Sequence, residues 1–158
     1  DDQGNKGRTV AGDVQVMSAG SGIRHAEYNL EPGVTRIFQI WIIPDARGGT
    51  PTWDSKPFPK GERSGRFVTL ASGMPGDDDA LPIRANARVL GATLKAGESI
   101  EYHFDDATRR GYLVPGTGKV DVDGVVIEAR DGAAIRDAAS IHIRALEDAE
   151  LVLVDTAA

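Results

Sequence analysis

Arg88-Val89-Leu90-Gly91-Ala92-Thr93-Leu94 and Ser99-Ile100-Glu101-Tyr102-His103-Phe104 decide the fold class. The second stretch alternates polar and apolar residues without a break, which puts one face in a core and one in water. Outward from this pair, similar short runs recur. Phe38-Gln39-Ile40-Trp41-Ile42-Ile43 is rich in aromatic and β-branched residues and predicts a strand. So do Arg66-Phe67-Val68-Thr69-Leu70, Lys119-Val120-Asp121-Val122-Asp123, Ile141-His142-Ile143-Arg144 and Glu150-Leu151-Val152-Leu153-Val154. Turn residues separate them at the spacing of a sandwich or small barrel. No long stretch has a helical period, and Asp106 to Arg110 is long enough only for a turn. The expected class is all-β.

The chain of 158 residues allows one ordinary domain or two small ones. Its middle divides it. Pro44 to Arg63 holds Gly48-Gly49, Pro51, Pro57, Pro59 and Gly61, and reads as an extended connector anchored by Trp53 and Phe58. The predicted units are residues 1–50 and residues 51–158, the connector counted with the second. A loop from Ala71 to Pro82 carries Pro75-Gly76 and three aspartates. Asp77-Asp78-Asp79 lacks the glycine and distal glutamate of a calcium loop, so an acidic surface loop is expected. Asp121-x-Asp123-Gly124 predicts a hairpin turn between alternating strands.

Net charge is -6, without a compensating Lys/Arg cluster. Nucleic-acid phosphates would be repelled, so no nucleic-acid partner is expected. No apolar run reaches membrane-spanning length, so no membrane association is expected either. There is no cysteine, which excludes disulfides, thiolate metal ligands and a cysteine nucleophile. That absence fits a reducing, cytoplasmic setting.

Histidine chemistry is confined to His25, His103 and His142. His25 and Glu27 are two residues apart, so a strand would put both on one face. Imidazole plus carboxylate is half of a mixed nitrogen and oxygen site for a divalent transition metal. On spacing alone the metal signal is weak, since a single His-x-Glu is more often an exposed strand pair. Gly20-x-Gly22 lacks a third glycine and leads into a β-like segment, not a helix, so neither a dinucleotide nor a P-loop reading is supported.

Gly12, Gly20, His25 and Asn29 follow the order of the second cupin motif, with Ser18 where proline is usual and two extra residues before the histidine. With those departures, Met17-Ser18-Ala19-Gly20-Ser21-Gly22-Ile23-Arg24-His25-Ala26-Glu27-Tyr28-Asn29 resembles the signature of the pirin family. The likeness extends through Asp1-Asp2-Gln3-Gly4-Asn5 and Gln39-Ile40-Trp41-Ile42-Ile43-Pro44. It resumes weakly at Gly132-Ala133-Ala134-Ile135 and Ala149 to Asp155.

The resemblance implies a two-cupin, jelly-roll protein. Its first cupin would hold one divalent metal, Fe(II) in the intact protein, through three histidines and one glutamate. His25 and Glu27 would be two of those four ligands. Several bacterial members open the heterocyclic ring of quercetin with dioxygen, which implies a flavonol-like substrate. The metal would orient and polarise the flavonol, and Glu27 would take its hydroxyl proton. The other two ligands would lie in an upstream His-x-His motif. The chain begins without methionine at a turn-like Asp1-Asp2-Gln3-Gly4-Asn5, so a truncated first cupin, inactive by itself, is expected. An edge left open there would favour a homodimer or association with the missing segment.

Gly97, His103 and Asp105 only faintly echo the first cupin motif, because Asp105, Arg109 and Arg110 stand where ligands are wanted. The second cupin is therefore expected to be degenerate, with His103 and His142 as ordinary strand residues. Two rival readings stay open: a regulatory protein-binding module tuned by metal, and a metal-free structural fragment.

Overall fold

The computed structural model describes residues 1–158 and contains twelve strands, one short 3-10 turn at Lys60–Arg63 and no α-helix. No helix is long and apolar enough to cross a membrane. The strands are β1 (Asp13–Ser18), β2 (Thr52–Pro57), β3 (Val68–Ser72), β4 (Leu81–Pro82), β5 (Ala87–Leu94) and β6 (Ser99–His103). Then come β7 (Arg110–Thr117), β8 (Val120–Val122), β9 (Val125–Ile127), β10 (Ala133–Ile135), β11 (Ser140–Ala145) and β12 (Ala149–Thr156). They form a six-stranded sheet in the order β10-β7-β12-β5-β3-β4, a four-stranded sheet in the order β6-β11-β8-β9, and a separate β1-β2 pair.

The two larger sheets share one core. Leu90, Leu113, Leu151 and Leu153 of the first meet Ile100, Tyr102, Val120, Ile141 and Ile143 of the second. Leu113, Ile143 and Leu153 are fully buried. Truncating Leu153 to alanine should cost about 2–5 kcal/mol through lost burial and the cavity left behind. β12 is central and buries both faces, which explains its nearly unbroken apolar run. Leu151 and Leu153 point into the barrel, while Val152 and Val154 pack with a second cluster under Val14, Val16, Ile42 and Phe58. That second cluster seats the N-terminal unit on the outer face of the six-stranded sheet.

The connector contains more order than its Pro and Gly content predicts. Its residues Thr52–Pro57 form β2, which pairs with β1 in antiparallel register from Asp13 opposite Pro57 to Ser18 opposite Thr52. Phe58 is buried as expected, and Trp53 packs closely over Gly7.

Strand β7 lies outside the sequence expectation. Pro115 and Gly116 read as breakers, yet both sit inside it. Leu151 pairs with Pro115 and Glu150 with Thr117, so Gly116 is an extra residue in a bulge. The ring of Phe38 lies against Gly116, where an added Cβ would come within 3.2 Å.

The opposite error occurs at Phe38–Ile43. This stretch is in no sheet, although its composition is strand-like. Strand propensity reports fit to a half-buried pleated surface; here Ile42 packs into the second cluster and the Phe38 ring touches Gly116, but no strand pairs the segment. Trp41 is 88% exposed and Ile43 90%.

The Asp123-Gly124 hairpin is present. Val122 pairs with Val125, both turn residues have positive φ, and Gly124 N–H donates to Asp121 Oδ1 at 2.9 Å.

Candidate metal centre

His25 and Glu27 lie in a segment without regular secondary structure that follows β1 and does not join a sheet. The expectation of a ligand strand is corrected here. No neighbouring strand pairs the segment, so alternation does not enforce a common face. Both residues are exposed.

Local bonds fix the segment instead. Asp2 N–H donates to Arg24 O at 2.9 Å, which ties the N-terminal turn to the residue before His25. That turn is closed by Asp1, whose Oδ1 accepts from the N–H groups of Gln3 and Asn5. The Arg24 backbone in turn holds the Asp2 carboxyl below its ordinary value. Ser21 N–H donates to Gly49 O at 2.8 Å, and Gly20 permits that approach. Its φ is +55°, and an added Cβ would sit 2.4 Å from Gly49 O. Downstream, Asn29 builds a turn. Its Oδ1 accepts from Glu31 N–H and the Thr35 hydroxyl, and its Nδ2 donates to Gly33 O.

Gln15 adds a contact that sequence spacing did not reveal. Its side-chain amide donates to Glu27 Oε1 from strand β1. Twelve residues separate the two, and only the fold brings them together.

The donor types at His25 and Glu27 fit a divalent transition metal. Their number does not complete a site, because no three His, Asp or Glu side chains come together in an arrangement that could hold a metal ion. Two donors hold two positions of a four-ligand shell and bind weakly alone.

The second barrel has no histidine inside. His103 is exposed and lies 3.7 Å from Glu101, and His142 is exposed on the neighbouring strand opposite Glu101. The interior end is closed by a polar network instead. Asp155 is fully buried; it accepts from Arg109 Nε at 2.6 Å and from the Tyr102 hydroxyl at 2.7 Å. Burial, then the Asp155 carboxylate, pushes the Tyr102 phenol well above its ordinary value. Arg109 Nη1 also donates to Asn86 Oδ1 at 2.8 Å. One sequence signal pointed here: Asp155 continues the inward register of Leu151 and Leu153, where a lone carboxylate needs a partner.

The acidic loop is corrected in part. Asp77 is not a free surface charge: it accepts from Ser72 Oγ and Arg88 Nε, each at 2.6 Å. Arg88 bridges onward to Asp105 at 3.0 Å.

Comparison with known proteins follows the two halves. Residues 1–42 match the family model described as pirin, and residues 69–156 match the one described as quercetinase C-terminal cupin domain. The chain is 72% identical over 157 residues to the pirin-like protein of Caulobacter vibrioides, covering 99% of this chain and 67% of that protein. It is 36% identical over 159 residues to the quercetin 2,3-dioxygenase of Escherichia coli K12, covering 98% and 65%. The crystal structure of a bacterial pirin of Escherichia coli in complex with nickel(II) superimposes with a TM-score of 0.84 at 30% identity, over 98% of this chain and 66% of that one. The chain thus spans about two thirds of the length of these relatives.

Proposed function

This chain belongs to the pirin family and has its cupin fold, and from that premise we propose that it serves a quercetinase-type dioxygenase in which His25 and Glu27 are two ligands of a divalent metal. The observation that carries the reading is the Gln15 to Glu27 hydrogen bond inside the segment that matches the pirin model. A carboxylate oriented from a neighbouring strand is what a metal ligand needs. The remaining donors are proposed to come from an upstream His-x-His segment. Iron(II) is the proposed metal; the nickel in the Escherichia coli relative supports the divalent class.

The residues divide the work. His25 offers a neutral nitrogen, and Glu27 offers carboxylate oxygen. When bound, a divalent ion supplies Lewis-acid polarisation and orientation of a coordinated flavonol. Glu27 takes the flavonol hydroxyl proton, which favours reaction of the ring with dioxygen. Gln15 holds the Glu27 carboxylate in place through its amide. A division near residue 50 is proposed, with β2 of the connector paired back onto β1 of the first unit and the second unit carrying no metal of its own. Matches to residues 1–42 and 69–156 support that division.

The test is oxygen uptake with quercetin by the chain supplied with the upstream segment and Fe(II). Uptake that disappears in His25→Ala and Glu27→Gln supports the proposal. Equal uptake in both variants refutes it.

A partner-binding role without turnover is the second reading. The exposed side chains of Tyr28, Leu30, Val34, Trp41 and Ile43 favour it. Flavonol-dependent oxygen uptake separates the two readings.

A further inference from the structure

A groove of about 500 Å³ lies on the six-stranded sheet near its β10 edge, within the ~300–1,000 Å³ range of small-molecule sites. Sheet register builds it. Tyr112 of β7 stands between Ala134 of β10 and Val154 of β12, and Arg110 is paired with Thr156. Arg110 and Tyr112 are two residues apart on β7 and share a face, and Arg136, just past the end of β10, lines the same groove. The apolar floor and one guanidinium thus come from adjacent strands, and the second guanidinium from the residue that follows β10.

The chain carries a net charge of -6, yet two arginines and no carboxylate line the groove. Like most arginines of the chain, Arg110 and Arg136 make no ion pair, unlike Arg88 and Arg109, which are held by aspartates. The Tyr112 ring is seated against Gly132, where an added Cβ would come within 2.1 Å of its hydroxyl oxygen. The backbone there leaves room for the ring at the groove wall.

We infer that this groove binds a small aromatic carboxylate. The guanidiniums take the carboxylate through charge-assisted hydrogen bonds, Arg being suited to its planar, two-oxygen geometry. The apolar floor and Tyr112 take the ring. The site uses neither His25 nor Glu27, so it stands or falls apart from the metal reading.

The experiment is a titration of the isotopically labelled chain with benzoate, benzamide and inorganic phosphate, read from backbone amide shifts. Benzoate is expected to give saturable shifts at Gly111, Tyr112 and Ala134, about tenfold tighter than either control. Arg110→Gln and Arg136→Gln should each weaken benzoate binding several-fold while the other amide positions stay unchanged. Should Arg110→Gln disturb the sheet, Arg136→Gln lies just beyond the end of β10 and reads the same interaction. No saturable shift at millimolar benzoate overturns the inference. So does phosphate binding as tightly as benzoate, or unchanged binding in a folded arginine variant.

Discussion

The side-chain amide of Gln15 donates to the carboxylate of Glu27 across twelve residues of sequence. It joins a regular strand to a segment that has no sheet partner. Losing an orienting group of this kind typically costs about 10–100-fold in metal affinity or activity. Gln15→Met should therefore weaken metal binding by about that factor while the thermal transition moves little. Metal titration of the chain supplied with the upstream segment checks it. Unchanged affinity would remove Gln15 from the site.

Asp155 and Arg109 form the buried ion pair that closes the second barrel. Removing one partner strands the other charge out of water. Asp155→Ala should destabilise the fold by about 3–5 kcal/mol. The double replacement Asp155→Leu with Arg109→Met should cost less than the single loss, since neither charge then stays buried alone. Denaturant unfolding measures both.

Asp77 predicts a specific acid sensitivity. Burial pushes its carboxyl up, but the Ser72 hydroxyl and the Arg88 guanidinium together hold it below the ordinary 3.8. A depressed folded value gives stability that is fully present above the unfolded value and is lost as pH falls through the folded one. Asp77→Asn should cost about 1.5–3 kcal/mol at neutral pH. That difference from the parent should shrink as pH drops below 3.8. Unfolding curves at several pH values test the sign.

Trp41 and Trp53 are the only tryptophans and differ in setting. Trp41 is almost wholly exposed, while Trp53 packs over Gly7. Trp41→Phe should remove most of the emission that acrylamide quenches, and Trp53→Phe should leave it. Acrylamide quenching that is unchanged by Trp41→Phe would contradict the exposure of Trp41.

Much of the barrel was legible because its strands carry their own pattern. Ser99–Phe104 alternates, and its inward residues Ile100, Tyr102 and Phe104 are all buried. Strand β7 was not legible, because Pro115 and Gly116 look like breakers until the bulge opposite β12 gives them a place. Phe38–Ile43 misled in the other direction, since propensity states what a strand would bury and not whether a neighbour is there. At the candidate site, the pirin-like pattern around His25 named the segment. Gln15 stayed hidden, because a contact made between a strand and an unpaired segment leaves no periodic trace. Asp77 stayed hidden for a similar reason: its partner Arg88 is eleven residues away on another element.

The most direct measurement is the divalent-metal content of the chain supplied with the upstream His-x-His segment, compared with its His25→Ala variant. One ion per chain is expected in the parent and none in the variant. Equal metal content in the two would remove His25 from the metal site.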